Sequence, residues 1–147
     1  MLTEDAPMSG PLDRFKVVFN QLNKDTLHLL ENIYTPDVKF RDPVHELNGL
    51  PALRDYYGRL YNGVVSCHFD FEAEVIQGQQ GMLVWTMRFQ HARFHRDKML
   101  ELRGVSHLRF LDDGRVKDHR DYFDMGEFIY ERVPVLGGII RAIKNRL

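Results

Sequence analysis

The chain has 147 residues, with 20 Lys and Arg against 21 Asp and Glu, 44% apolar and 12% aromatic residues, the profile of one ordinary globular domain. The near balance of charge leaves no basic excess for neutralising phosphates, so a nucleic-acid partner is not expected. A single cysteine, Cys67, excludes an internal disulfide, reads as a buried inert thiol and points to a reducing compartment.

Residues 1–10 read as a loose leader: the first seven carry acids and no apolar stretch, so neither a signal peptide nor an anchor is expected. No apolar run approaches the ~20 residues of a membrane span, and a cytoplasmic protein is expected. Leu12, Phe15, Phe19 and Leu22 recur at helical spacing and mark a first amphipathic helix. A second follows, with Asp25 and Thr26 as caps, Leu27, Leu30, Ile33 and Tyr34 as its stripe, and Thr35-Pro36-Asp37 as its stop. Val38 and Phe40 give a short strand closed by Asp42-Pro43. After Asn48-Gly49, Pro51 suits a first helical turn, and Leu50, Leu53, Tyr57, Leu60 and Tyr61 form the face of a third helix ended by Asn62-Gly63.

From Val64 the period changes to two: Phe69, Phe71, Ala73 and Val75 alternate with His68, Asp70, Glu72 and Glu74. Further long strands are expected over 82–93, 99–111 and 115–123, with turns at 77–81 and 95–98 and a hairpin at Asp112-Asp113-Gly114. Helices followed by an antiparallel meander make an α+β fold. On the second long strand Met82, Val84, Thr86, Arg88 and Gln90 share one face and Leu83, Trp85, Met87 and Phe89 the other. Arg and Gln in mid-strand suggest a curled sheet whose polar-floored face lines a pocket, with the Trp85 face packing against a second subunit of a homodimer.

The segment from Tyr34 through Arg41-Asp42-Pro43 to Asn48-Gly49 resembles the helix-strand-helix entry of ketosteroid isomerases and other SnoaL-like proteins of the nuclear transport factor 2-like superfamily. The run Arg120-Asp121-Tyr122-Phe123-Asp124 resembles the last strand of limonene-epoxide hydrolase, and Leu83-Val84-Trp85-Thr86 followed by Arg88 resembles the strand bearing that enzyme's catalytic arginine. The resemblance covers residues 12–128. It implies a cone-shaped curved antiparallel sheet wrapped around three N-terminal helices, over a domain at 11–128. It further implies that Asp42 or Asp121 is a proton-shuttling or water-activating base.

Two departures stand out. Gln90 replaces the acid of the hydrolase, and an amide cannot protonate an epoxide. Val18 and Ser106 fall where the isomerase has its two oxyanion donors.

Asp42, Arg88 and Asp121 are therefore the candidate catalytic set. Asp121 or Asp42 acts as general base, Arg88 orients it, and Gln90 hydrogen-bonds a substrate oxygen. His119 shares the strand face of Asp121, and Phe40, Val18, Ser106, His119 and Tyr57 join Gln90 as the substrate-binding wall. A buried Arg–Asp salt bridge and a turn-starting Asp-Pro are the structural alternatives to this site. No cofactor is expected. No metal is expected either, His119, Asp121 and Asp42 being the only set worth testing as ligands. The expected function is cofactor-free acid–base catalysis, of the isomerase, cyclase or epoxide-hydrolase type, on a small hydrophobic molecule. The alternative is a non-catalytic binder of a hydrophobic metabolite. In residues 129–147, Leu136, Ile139, Ile140, Ile143 and Leu147 form an apolar stripe with Arg141, Lys144 and Arg146 around it. This reads as a basic amphipathic helix that docks on its own domain or makes a peripheral membrane contact.

Overall fold

The computed structural model describes residues 10–93, 98–124, 142–143 and 145–146. The expected leader up to residue 9 and almost all of the C-terminal helix lie outside the described residues.

Two-residue alternation in the second half of the chain produces four long strands, β3 (Val64–Gln77), β4 (Gln80–His91), β5 (Leu100–Phe110) and β6 (Val116–Phe123). They pair antiparallel in succession. The β5–β6 turn holds Gly114 at φ 86°, where a Cβ would lie 2.9 Å from the Pro11 carbonyl oxygen, so conformation and space both require glycine.

Upstream, β1 (Tyr34–Arg41) runs parallel to β6, and the short β2 (Glu46–Asn48) pairs antiparallel with β1. The order is β2-β1-β6-β5-β4-β3, a six-stranded curved, unclosed sheet that is mixed rather than wholly antiparallel. Register shifts at Val64/Ser66 and Phe71/Ala73 on β3, at Tyr34/Lys39 on β1 and at Arg109/Phe110 on β5 supply the local bends that let it curl.

Upstream of the long strands lie two α-helices, α1 (Asp13–Phe19) and α2 (Leu50–Tyr61), with a 3-10 helix at Leu27–Asn32 between them. The second expected helix is thus only this 3-10 stretch. Its expected end, Tyr34 to Asp37, belongs to β1, with Pro36 in the interval where the β1–β6 ladder shifts and a missing N–H costs no bond. The first helix ends at Phe19 instead of reaching Leu22. There the Asn20 side chain accepts from the Phe69 amide (2.8 Å) and donates to the Phe69 carbonyl (3.0 Å), tying the helix end to β3.

The core lies between these helices and the concave face of the sheet: Leu12, Leu30, Val38, Leu53, Leu83 and Leu108 are fully buried.

Candidate active site

β4 sets the orientation of the site. Trp85, Met87, Phe89 and His91 line a cavity of about 510 Å³ on the concave side, so Arg88 and Gln90 point to the convex face. This reverses the expected assignment of the two faces. The Trp85 face is the cavity wall and is not available to a second subunit. Arg88 instead meets Asp70 on β3 and Glu101 on β5 (3.5 Å), a half-exposed cross-strand ion network outside the cavity. The physical reason is economy of solvation: charged side chains are satisfied by partners and water on the open face, while the apolar set encloses the cavity. Val18, buried in the core beside Phe15 and Phe19, is not among the cavity-lining residues.

Six of the nine expected residues do meet at the cavity: Phe40, Asp42, Tyr57, Ser106, His119 and Asp121. The parallel β1–β6 register explains the convergence. Phe40 faces His119 and Arg41 faces Arg120, so Asp42, just past the end of β1, follows in step with Asp121 on β6. Ser106 comes from the other side, directly opposite Asp121 on β5.

The two carboxylates differ in environment. Asp42 is the first residue of an Asx turn: Oδ1 accepts from the amides of Val44 (2.8 Å) and His45 (2.7 Å), and Oδ2 accepts from the Tyr56 hydroxyl. Its side chain is only 2% exposed, so the structural alternative describes Asp42 well. Asp121 keeps a side chain 17% exposed at the cavity. Its Oδ1 receives the Ser106 hydroxyl (2.5 Å) and lies 2.6 Å from Nε2 of His119. Ser106 in turn accepts from the Trp85 indole N–H (2.9 Å).

His119 is 3% exposed, and the rings of Phe15, Phe40 and Tyr34 pack around it, with centroids 5.6, 4.9 and 5.8 Å away. Its Nδ1 lies 2.6 Å from the Tyr34 hydroxyl, which is 3.3 Å from that of Tyr57. A carboxylate can only accept, so the neutral imidazole carries its proton on Nε2 and Nδ1 accepts from Tyr34. Burial holds the phenols of Tyr34 and Tyr57 well above their ordinary pKa, so both stay protonated donors at neutral pH. Among the described residues no three His, Cys, Asp or Glu side chains converge as a metal site, and His119, Asp121 and Asp42, the one set worth testing, form none. Cys67 lines the cavity, and burial pushes its thiol up to about 11 while a hydrogen bond with Tyr61 pulls the other way, in keeping with an inert group.

Sequence reasoning missed Tyr34, which it placed as helical packing, and the Trp85–Ser106 contact. The β1–β6 pairing that brings Tyr34 to His119 joins residues 85 positions apart and leaves no local trace.

The geometry matches known folds. An NTF2-like protein of unknown function from Burkholderia pseudomallei superposes with a TM-score of 0.69 at 17% identity, over 83% of this chain and 96% of that one. A putative SnoaL-like polyketide cyclase from Shewanella putrefaciens gives 0.67 at 18% identity, over 82% and 94%. An LEH-like epoxide hydrolase from M. tuberculosis gives 0.66 at 13%, over 91% and 96%. At such identities the likeness establishes the fold. No curated protein matches the sequence. The SnoaL-like domain profile matches residues 16–119, from α1 to the buried histidine of β6, and the chain therefore belongs to the SnoaL-like domain family.

Proposed function

We propose that the protein is an enzyme performing cofactor-free acid–base chemistry on a small, largely apolar substrate, with Asp121 as the base. The observation that carries this reading is a partly exposed carboxylate at an apolar, aromatic-walled cavity, backed by a buried histidine whose second nitrogen is also hydrogen-bonded. Asp121 takes a proton from a carbon next to a substrate carbonyl, or from a water. In the first case the C–H electron pair moves onto the carbonyl oxygen as an enolate, and the carboxylic acid formed returns the proton to another carbon. Tyr57, whose bond to Tyr34 is long, can turn its hydroxyl to that oxygen. His119 orients Asp121 through Nε2, and with both ring nitrogens engaged, by Asp121 and by Tyr34, it is a positioning residue. Neighbouring folds include a putative isomerase of the SnoaL-like family, a putative polyketide cyclase and an epoxide hydrolase, all consistent with this class of reaction.

The test is turnover of a β,γ-unsaturated cyclic ketone and of a cyclic terpene epoxide by the full chain and by Asp121→Asn. Loss of about 10²–10⁴-fold in the variant, with ligand binding retained, is expected for a general base. Equal rates in both proteins would sink the assignment.

A second reading, a non-catalytic binder of a hydrophobic metabolite, is favoured by one observation: Arg88 and Gln90 face away from the cavity and Asp42 is occupied by its turn, so Asp121 stands without a second acid. Ligand binding with no turnover of either substrate would select it.

A further inference from the structure

The cavity is long, and its two ends carry opposite charge. Trp85, hydrogen-bonded to Ser106, and His91 both line it on β4, six residues apart, or about 20 Å at the strand rise of ~3.3 Å per residue. At the inner end stand Asp121 and Ser106. At the outer end α2 and β4 finish side by side, held by the Ala92 amide on the Gly63 carbonyl (2.8 Å) and by the Val64–His91 pairing. This junction puts Arg59 and Asn62 of the helix end next to His91 and Arg93 of the strand end, and all four line the same cavity.

Arg59 and Arg93 are exposed at this rim. Arg41, Arg54, Arg88, Arg103 and Arg115 each meet a carboxylate, whereas among the described residues none pairs with Arg59 or Arg93. The Arg93 amide donates to Nδ1 of His91 (3.0 Å), which leaves the neutral ring's proton on Nε2. Partial burial and the Arg93 charge lower the pKa of His91, so it contributes a hydrogen-bonding ring there and not a third cation. Between the ends the wall is Met87, Phe89, Leu100 and Leu102, with no charge of its own. An anionic group seated deep would face the Asp121 carboxylate. Seated at the rim, it meets two guanidinium groups while the apolar body fills the interior.

We propose that the substrate is an amphiphilic carboxylate: an aromatic or apolar body of up to roughly 20 Å lying along the β4 wall, its acid group held at the rim by Arg59 and Arg93. This rests on the cavity being the ligand site, as the proposed function requires, and adds the polarity and orientation of the ligand.

The test uses two probes of one shape, 1-pyrenebutanoate and the uncharged 1-pyrenebutanol, titrated into the full chain and followed by energy transfer from Trp85, the single tryptophan. The acid binds roughly fivefold more tightly than the alcohol at low salt, an advantage that shrinks as salt screens the rim. In the Arg59→Gln/Arg93→Gln double variant the ratio falls to about one and the alcohol binds as before; in Asp121→Asn the preference for the acid persists. Equal binding of acid and alcohol by the wild type, or a ratio that survives the double substitution, overturns the rim assignment and leaves the cavity chemistry standing. Failure of both probes to reach Trp85 overturns the two together.

Discussion

Asp42 and Asp121 show how one residue type at adjacent positions of neighbouring strands takes two roles. The Asp-Pro sequence marked Asp42 as either base or turn starter, and the two backbone amides on Oδ1 and the tyrosine on Oδ2 give it the second role. Asp42→Ala removes a buried side chain that accepts three hydrogen bonds and is expected to cost about 2–3 kcal/mol, read from the denaturant midpoint. A variant that loses turnover at unchanged stability would return Asp42 to the chemistry. Asp121 was legible as a candidate with His119, because residues two apart on a strand share a face. That the histidine stands behind the carboxylate, capped by Tyr34, follows from packing that joins β1 to β6.

At the scale of elements, the long strands could be read because alternation repeats many times in each, whereas β2 has three residues and no period to detect. The stripe of Leu27, Leu30 and Ile33 fits an α-helix and a 3-10 helix about equally over seven residues, and the early start of β1 decides for the shorter form. The β4–β5 pair carries a close approach that alternation does not reveal. Gly104 lies opposite Trp85, and a Cβ there would come within 2.4 Å of the indole. The ring thus lies over the glycine and forms the cavity wall. Gly104→Ala must push it away, at an expected cost of about 1–3 kcal/mol by chemical denaturation, and shift the Trp85 emission as the bond to Ser106 is strained. A variant with wild-type stability and emission would show that the indole has room to move.

Over the whole molecule, one consequence of enclosing an aromatic cavity is alkaline sensitivity. Burial raises the phenols of Tyr34, Tyr56, Tyr57 and Tyr61 above the ordinary 10.0, and the Cys67 thiol from 9.0 to about 11. The folded state therefore holds these protons more tightly than the unfolded chain does. Stability is unaffected by them below about pH 9 and falls as pH rises, first through Cys67 between 9 and about 11 and then through the tyrosines above 10. In tyrosinate absorbance of the folded protein at pH 10.5, at most two of the six tyrosines, six less these four, should titrate before unfolding begins. Titration of all six with the fold intact would contradict the burial. Among the described residues no helix is long and apolar enough to cross a membrane.

The amino-acid sequence by itself determined the family, the four long strands, the third expected helix and the shared face of His119 and Asp121, because each is written in local spacing or in contiguous motifs. It misassigned Arg88 and Gln90, because alternation separates two faces of a strand without saying which one is concave. Curvature comes from register shifts, and those depend on partners tens of residues away. Only the tertiary structure decided that the apolar Trp85 face closes around the cavity while Arg88 is satisfied outside by Asp70 and Glu101, since solvation of charge is settled by which groups the folded sheet brings together.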